Sequence, residues 1–401
     1  MQHRVYLLLA LVLVPQFARG QTGGILQIDD PVTTTISRLS LKGLLPGSFV
    51  VHHPLSVHEA REYLRPLMEE TEGMTDHDIR LAERVFGLKD SAAWGLLPRW
   101  IPQVYRNGTD LVSIEGEGYR LQINPLANLS IGVAAQSSRP DRDRWKTTWQ
   151  NTRGIRFSGS IGNHIFFESR LEENQLALPE AAKPWMIQRL GRVNGTRSRD
   201  DELIDANTLD YFVATGIVGV RFPHVEIRLG RDRNMWGFGN TSLLLSDFAH
   251  VYDQIQIRTT VWRLQYVSLY SVLSDRSAEA FEDEVPPKFA VFHRLALNLA
   301  DNVQIGLFES VVFTPDEPSN AGSYLGFLNP VVFYRAVDGD IGSPGNVLIG
   351  ADAMWRIRPG IAVHGQVAFD EFNLGKLTTE PGWWKNTYAT LVGVQLADVG
   401  L

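Results

Sequence analysis

The feature that most constrains this 401-residue chain is an alternation of apolar and polar side chains at every second residue, which recurs from about residue 100 onward. In the run 154–161, GIRFSGSI, isoleucine and phenylalanine fall on one face of an extended strand, whereas arginine and serine fall on the other. Runs with the same pattern lie at 164–171, 225–229, 294–299, 303–307 and 361–370. This period predicts a chain built mainly of β-strands with one apolar and one polar face.

The connections between these runs are alternately short and long. Gly162-Asn163 and Asp301-Asn302 are two-residue turn signals, whereas 174–208 and 315–323 are longer polar stretches. Short turns on one side and long loops on the other are typical of a transmembrane outer-membrane antiparallel β-barrel, here of about 14–18 strands. A secreted β-sandwich, whose strands also alternate, is the other interpretation.

Aromatic residues near the predicted strand ends fit the girdles that such a barrel places at the two membrane interfaces. The closing strand of a bacterial barrel usually ends on an aromatic residue, but this sequence ends in VGVQLADVGL. We therefore expect that the barrel, predicted over residues 100–401, is incomplete at its C-terminus or ends atypically. The girdle candidates are Trp262, Tyr266, Tyr270, Phe333, Tyr334, Trp355, Trp383, Trp384 and Tyr388.

The N-terminus has the pattern of a secretory signal peptide. A positively charged MQHR precedes an apolar run at 5–14, and small residues stand before a predicted cleavage site at Gly20-Gln21. A short membrane anchor is the alternative, although the run is short for a spanning helix. Residues 21–99 are predicted to form a periplasmic segment, irregular up to residue 55 and then with short helices that begin at capping boxes at Ser56 and Thr75.

Composition excludes several classes of function. The net charge is −7 with no basic block, which argues against nucleic acid as a partner. The absence of cysteine excludes disulfides, thiolate metal sites and a cysteine nucleophile. Neither a zinc-protease H-E-x-x-H motif nor a G-x-S-x-G nucleophile elbow occurs. We therefore predict a non-enzymatic protein without a cofactor or a metal ion.

The stretch GRDRNMWGFG at 230–239 is rich in glycine and follows a predicted strand. Its glycine spacing differs from the dinucleotide-binding G-x-G-x-x-G, and it lacks the lysine of a phosphate-binding loop. We predict instead a connection that folds into the barrel or its mouth. In this interpretation Arg231, Asp232 and Arg233 form an internal ion-pair cluster and Trp236 is a wedge; a charged turn that only shapes the barrel is the alternative.

Several segments, in order along the chain, resemble the Wzi-type capsule-assembly outer-membrane proteins. The segment 230–257, GRDRNMWGFGNTSLLLSDFAHVYDQIQI, is similar to a family element with Arg, Trp-Gly-x-Gly and a serine-leucine run, although Phe238 stands where proline is expected. Residues 54–86, 293–313, 324–334 and 346–372 also resemble family segments. The resemblance implies an outer-membrane barrel with a periplasmic helical bundle. It also implies a non-enzymatic, lectin-like role in retaining capsular polysaccharide.

Polysaccharide binding needs aromatic faces for sugar rings and planar polar groups for hydroxyls, and arginine suits anionic sugars. Long polar stretches supply such residues, and the candidate contacts are Arg142, Trp145, Arg192, Trp383 and Trp384. The predicted partners are capsular or exopolysaccharide, outer-membrane lipid and polysaccharide-export proteins. Two other functions stay open at this point: an outer-membrane channel, and a barrel that anchors a surface secretion or motility machine.

Overall fold

The computed structural model describes residues 9–11, 24–86, 110–135, 145–177, 208–274, 287–313, 346–370, 379–380 and 387–399. Within these ranges the chain forms one 14-stranded antiparallel sheet and two small two-stranded sheets. The large sheet curls around the segment 24–86, which we call the plug segment. The predicted antiparallel barrel-type fold is confirmed, and none of the described helices is long and apolar enough to cross a membrane.

The strands of the large sheet follow one another in sequence order, except that β11 (Met235–Trp236) lies outside this sheet. In spatial order they are β6 (Tyr119–Ala135), β7 (Trp145–Ile161), β8 (Ile165–Ala177), β9 (Thr208–Arg221), β10 (Val225–Asp232), β12 (Tyr252–Val261), β13 (Leu264–Ser274), β14 (Pro287–Ala300), β15 (Val303–Phe313), β16 (Asn346–Arg358), β17 (Ile361–Asp370) and β18 (Thr387–Leu396). The two predicted short turns join β7 to β8 and β14 to β15.

The sheet does not close on itself in the part of the chain that the structure describes. The free edge of β6 carries two short strands, β1 (Leu9–Leu11) and β5 (Val112–Gly116), and β18 pairs only with β17. Barrel closure thus remains a prediction. Residues of β1 belong to the apolar run of the predicted signal peptide, so cleavage at Gly20 would remove this strand from the edge.

The plug segment contains three helices, α1 (Pro31–Lys42), α2 (Val57–Glu69) and α3 (Asp76–Val85). Both predicted capping boxes are present, and α2 continues past Pro66. The expectation that residues up to 55 are irregular is wrong, because α1 lies there. Asp30 caps α1 by accepting a hydrogen bond from the Val32 N–H, and Gly43 ends it in a left-handed conformation with φ of 86°.

The apolar faces of the three helices form a core of their own. Buried residues from each helix pack together with Leu26, Leu45 and Leu55. Short helices are marginal in water, so this shared core and the surrounding sheet stabilise them. Two small sheets hold the segment further: β2 (Ile25–Leu26) pairs with β4 (Leu55–Ser56), and β3 (His52–His53) pairs with β11 (Met235–Trp236).

The two faces of the large sheet differ as the alternation predicts. The inward face carries buried charged and amide side chains, among them Arg156, Arg228, Arg258 and Arg294. The outward face carries large apolar side chains that the chain leaves exposed, including Val218, Leu229, Leu299 and Trp355. An apolar exterior around a polar interior inverts the pattern of a soluble domain.

The plug segment lies at the end of the lumen, the space inside the curled sheet, where the short turns are. Arg356 Nη1 donates to the Ser40 carbonyl of α1 over 2.8 Å, and Nη2 donates to the carbonyl of Asp301 in a short turn. Asn298 Nδ2 donates to the Gly47 carbonyl over 2.9 Å. The opposite end of the lumen, which carries the long connections, is where a cavity remains.

Candidate functional site

Glu59, at the start of α2, links the plug segment to the inward face of the sheet. Its carboxylate pairs with Arg258 and, over 3.1 Å, with Arg228 Nη2. The same carboxylate completes the capping box by accepting a hydrogen bond from the Ser56 N–H over 3.0 Å. Arg228 also pairs with Glu226 over 2.6 Å. A buried network of this kind holds α2 in one position, because displacing it leaves Arg258 without its paired carboxylate and Arg228 with Glu226 alone.

A second network surrounds His52 of β3. Arg294 makes two hydrogen bonds to the Asp352 carboxylate, of 3.0 and 2.6 Å, and its Nη1 lies 3.1 Å from His52 Nε2. His52 Nδ1 lies 2.7 Å from Gln265 Oε1. Because arginine can only donate, His52 accepts at Nε2 and donates from Nδ1, which assigns the neutral imidazole with its proton on Nδ1.

The environment of His52 and of its neighbour His53 keeps both side chains uncharged. The pKa of His52 lies well below its usual value because burial disfavours the cation, and the neighbouring Arg294 and Arg258 lower it further. Burial likewise lowers the pKa of His53 to about 4, with Arg258 adding to the effect and Glu59 opposing it. Neutral histidines suit a position between buried arginines.

Residues 230–232 of the predicted connection continue strand β10, whereas residues 233–239 fold into the lumen. Trp236 is fully buried, with its ring edge-to-face against His52 at a centroid distance of 5.3 Å and against Phe292 at 6.2 Å. The Gly237 N–H donates to the Val51 carbonyl over 3.0 Å, so the connection and the plug segment share backbone hydrogen bonds. This arrangement is consistent with the wedge role predicted for Trp236.

The ion-pair cluster predicted for Arg231, Asp232 and Arg233 does not form as one unit. Successive residues of a strand point to opposite faces. Arg231 lies on the outward face, where it pairs with Asp253 over 3.1 Å, whereas Asp232 is buried on the inward face. Arg233 pairs with Asp29 of the plug segment at 3.7 Å.

A cavity of about 620 Å³ lies inside the lumen at the end that carries the long connections, and we call it the upper lumen cavity. This volume falls within the range of small-molecule sites, roughly 300–1,000 Å³. Its walls come from β6, β7, β8 and β9, and Gln27 and Asp29 of the plug segment contribute to its lining. The loops that follow β6 and β8 begin at the edge of this cavity.

The walls of the upper lumen cavity are rich in amides and hydroxyls. Thr152 donates to Asn174 Oδ1 over 2.7 Å, and Gln150 donates to the Thr152 hydroxyl over 3.3 Å. The Arg170 guanidinium, which also lines the cavity, pairs with Glu172 over 2.7 Å. The uncharged polar lining consists mainly of Gln27, Asn128, Ser130, Thr148, Gln150, Thr152, Asn174, Tyr211 and Thr215.

The predicted sugar contacts mostly lie outside the described residues. This applies to Arg142, Arg192, Trp383 and Trp384. Trp145 is the first residue of β7, three residues before Thr148 of the cavity wall. Arg142 belongs to the connection that follows β6, and Arg192 belongs to the connection that follows β8. These two strands form two walls of the cavity.

Sequence reasoning missed the residues that build this site. Glu59 was recognised only as a helix cap, and nothing local indicates that it also binds two arginines, which lie 169 and 199 residues away. His52 lay in a stretch predicted to be irregular. The wall residues were detectable only as the polar side of alternating strands, a signal that shows which face is wet but not where a cavity forms.

The part of the chain that the structure describes holds no cluster of three or more histidine, aspartate or glutamate side chains that could bind a metal ion. The carboxylate of Asp352 is bound by Arg294 in a fully buried pair. Such a pair stabilises the lumen rather than presenting a carboxyl group to a substrate.

Comparison with known proteins identifies a similar structure. No family model and no curated protein sequence matches the chain. Among solved structures, the chain is similar to Wzi of Escherichia coli, described as an outer-membrane protein involved in group 1 capsule assembly and a carbohydrate-binding β-barrel. The TM-score is 0.50 at 15% sequence identity, over 92% of this chain and 67% of that one. The resemblance inferred from the sequence is thus confirmed at the level of a Wzi-like fold.

Proposed function

We propose that the protein is an outer-membrane β-barrel that binds capsular or exopolysaccharide and helps to attach or organise it at the cell surface. In this proposal it works without catalysis or a cofactor. Residues 1–20 are a cleaved signal peptide, residues 21–99 form a periplasmic segment and residues 100–401 form the barrel. The polysaccharide and outer-membrane lipid are its main partners, and polysaccharide-export proteins are further ones.

The outward face of the sheet supports the membrane location. Leu229 and Val218 are more than half exposed there, as are Leu299 and Trp355. Water would penalise so many exposed large apolar side chains, whereas a bilayer accommodates them. Toward the long connections this apolar face ends in exposed ion pairs such as Arg231–Asp253, as expected where a wall leaves the hydrocarbon region.

The observation that carries the proposal is the combination of a plug segment at one end of the lumen with a polar cavity at the other. The plug segment occupies the end with the short turns, where its hydrogen bonds to the sheet narrow the lumen, and a second cavity of about 350 Å³ remains beside it, next to Ser40 and Arg356. The upper lumen cavity offers amide, hydroxyl and guanidinium groups at the opposite end. Such groups pair with sugar hydroxyls, and the similar structure described as a carbohydrate-binding barrel points in the same direction.

The long connections extend this polar surface in the proposal. Arg142, Trp145 and Arg192 lie in or beside connections that begin at the cavity walls. Trp383 and Trp384 precede β18 and would offer aromatic faces to sugar rings. Many weak contacts along a repeating polymer suffice for firm attachment, because each additional contact becomes intramolecular once the first has formed.

The direct test is binding of the detergent-purified, heat-modifiable protein to capsular polysaccharide from the source strain, with an unrelated polysaccharide as the specificity control. We expect selective binding that weakens at least tenfold in a Trp383→Ala/Trp384→Ala variant. The matched control is Trp262→Ala/Trp355→Ala, since both tryptophans are exposed and Trp262 lies in a short turn at the opposite end. Absence of binding by the folded protein would refute the proposal.

The remaining two functions make different predictions. A channel would conduct ions in a planar bilayer, but the plug segment inside the lumen favours a silent barrel. An anchor for a surface machine would co-purify with protein partners and would not bind glycan. Conductance measurements and co-purification therefore separate both from polysaccharide binding.

A further inference from the structure

The plug segment bounds the upper lumen cavity from below along β7, β8 and β9. Ile25 of the plug segment is buried against Phe166 and Ile217 of the sheet, and its N–H donates to Glu168 Oε2 over 2.9 Å. Gly24 beside it packs so closely that a Cβ added there would lie 2.5 Å from that carboxylate. An added methyl group would collide with Glu168, so the plug segment meets this wall without a gap and a saccharide strand cannot pass between them here.

The shape of the cavity therefore restricts how a polymer can use it. A groove open at both ends accepts the middle of a long chain, whereas a pocket closed below accepts only something that ends inside it. A polysaccharide could enter with its terminal sugars or with a short branch. A mid-chain segment would have to fold back on itself within about 620 Å³.

The charges of the lining indicate which sugars fit. The charged groups that line the cavity are two guanidinium groups and three carboxylates. The guanidinium groups belong to Arg170 and Arg233, and the carboxylates to Asp29, Glu172 and Asp232. The arginines are already engaged, Arg170 with Glu172 at 2.7 Å and Arg233 with Asp29 at 3.7 Å. An acidic sugar would meet excess negative charge, so the amides and hydroxyls suit uncharged sugar units.

We propose that the upper lumen cavity binds the uncharged terminal sugars of a polysaccharide, so that each polymer is held by one end. This inference rests on the proposed polysaccharide binding and adds to it the place and the part of the polymer recognised. A polysaccharide chain bound by one end extends freely from the cell surface, and chains held in this way can be organised into a layer.

The test uses the full chain in detergent and capsular polysaccharide from the source strain, sheared into a series of lengths. Binding is measured at equal mass concentration, with dextran of equal length as the unrelated control. If the protein recognises chain ends, a given mass of tenfold shorter chains contains tenfold more ends. The apparent Kd, expressed as mass concentration of polysaccharide, should then fall about tenfold. Short fragments should also compete fully with the polymer.

Cavity-filling substitutions supply the second arm. Gln150→Trp places a bulky ring in the cavity, and we expect at least a tenfold loss of binding. The matched control is Asn151→Trp, because the neighbouring residue of β7 points to the outward face at the same height. Both variants must stay heat-modifiable, which shows that the barrel has folded.

The outcomes separate this inference from the proposed function. If the folded protein binds no polysaccharide of any length, the proposed function itself fails. Two results would leave polysaccharide binding in place but overturn end recognition: an apparent Kd by mass that does not fall with shortening, or normal binding by Gln150→Trp.

Discussion

At the scale of single residues, Glu59 shows how one side chain can have a local and a long-range role. Its carboxylate caps α2 and also neutralises Arg228 and Arg258 on the sheet. All three side chains are mostly buried, so solvent screens their interaction little. The position of α2 in the lumen therefore depends on this one carboxylate more than on any other residue of the helix.

We expect Glu59→Gln to loosen the plug segment. Removing one partner of a buried ion pair costs about 3–5 kcal/mol, because the remaining charge stays buried without compensation. Hydrogen exchange of the α2 amides should then accelerate by roughly a hundredfold or more, as each 1.4 kcal/mol corresponds to tenfold. The control is Glu173→Gln, whose partner Arg153 lies in a solvent-exposed pair on the outward face. Equal effects of the two substitutions would contradict the role assigned to Glu59.

His52 and His53 make docking of the plug segment depend on pH. When the plug segment is displaced into water, His52 and His53 each take up a proton near the usual histidine pKa of about 6.5. When the segment is docked, the pKa of His53 is about 4 and the pKa of His52 is also well below its usual value. Between pH 6.5 and 4 the displaced state thus binds more protons, so docking weakens as the pH falls. The shift of His53 alone corresponds to about 3 kcal/mol.

Hydrogen-exchange protection factors of α1–α3 between pH 7 and 4 would measure this effect. We expect protection to decline through that window in the unmodified chain and to change much less in His52→Gln/His53→Gln. The exposed turn histidines offer the comparison, since His164→Gln/His224→Gln should keep the full decline. A decline of the same size in the first double variant would show that other groups control docking.

At the scale of elements, the plug segment and the Trp236 connection close the lumen together. They share a two-stranded sheet, β3 with β11, and a core in which Trp236 contacts side chains of β14 and β15. The sequence predicted these elements to different degrees. Both capping boxes are local signals and were found, whereas α1 was missed because its run of threonines has low helix propensity.

The helix α1 forms because tertiary packing overrides that propensity. Val32, Ile36 and Leu39 recur at helical spacing and are buried in the plug core. Their spacing, together with the Asp30 cap, was a usable signal. The position of the segment inside the sheet was not predictable from local patterns, because it depends on ion pairs between residues more than 150 positions apart.

Deleting residues 24–86 should convert a silent barrel into a conducting one. An eight-stranded barrel is filled by its own side chains, whereas the described wall has 14 strands and holds the plug segment in its lumen at the end with the short turns. Single-channel recording in planar bilayers measures the result, with the full chain as the closed reference. Glu59→Gln should give intermittent openings between these extremes. A deletion variant that folds and stays silent would show that the Trp236 connection closes the lumen alone.

At the scale of the whole molecule, alternation predicted the wall of the structure but not its contents. The strands at 154–161, 225–229 and 361–370 have their polar side inward, as expected from the two-residue period. That period does not specify how far the sheet curls or what occupies the lumen. A soluble sandwich and a membrane barrel also share it, so the decisive difference is which face is apolar and exposed.

The outward apolar face gives the sharpest test between these two architectures. Leu229→Arg places a charge on that face of β10, where in a membrane barrel it would cost up to about 2–4 kcal/mol at the bilayer midplane and less toward the interfaces. We expect less folded, heat-modifiable protein in the outer-membrane fraction and slower folding into lipid vesicles. The control is Leu229→Phe, which keeps the site apolar. A soluble domain would instead tolerate the arginine, since the side chain is more than half exposed. Normal assembly of Leu229→Arg would therefore argue that this face does not meet lipid, and the membrane location would fail with it.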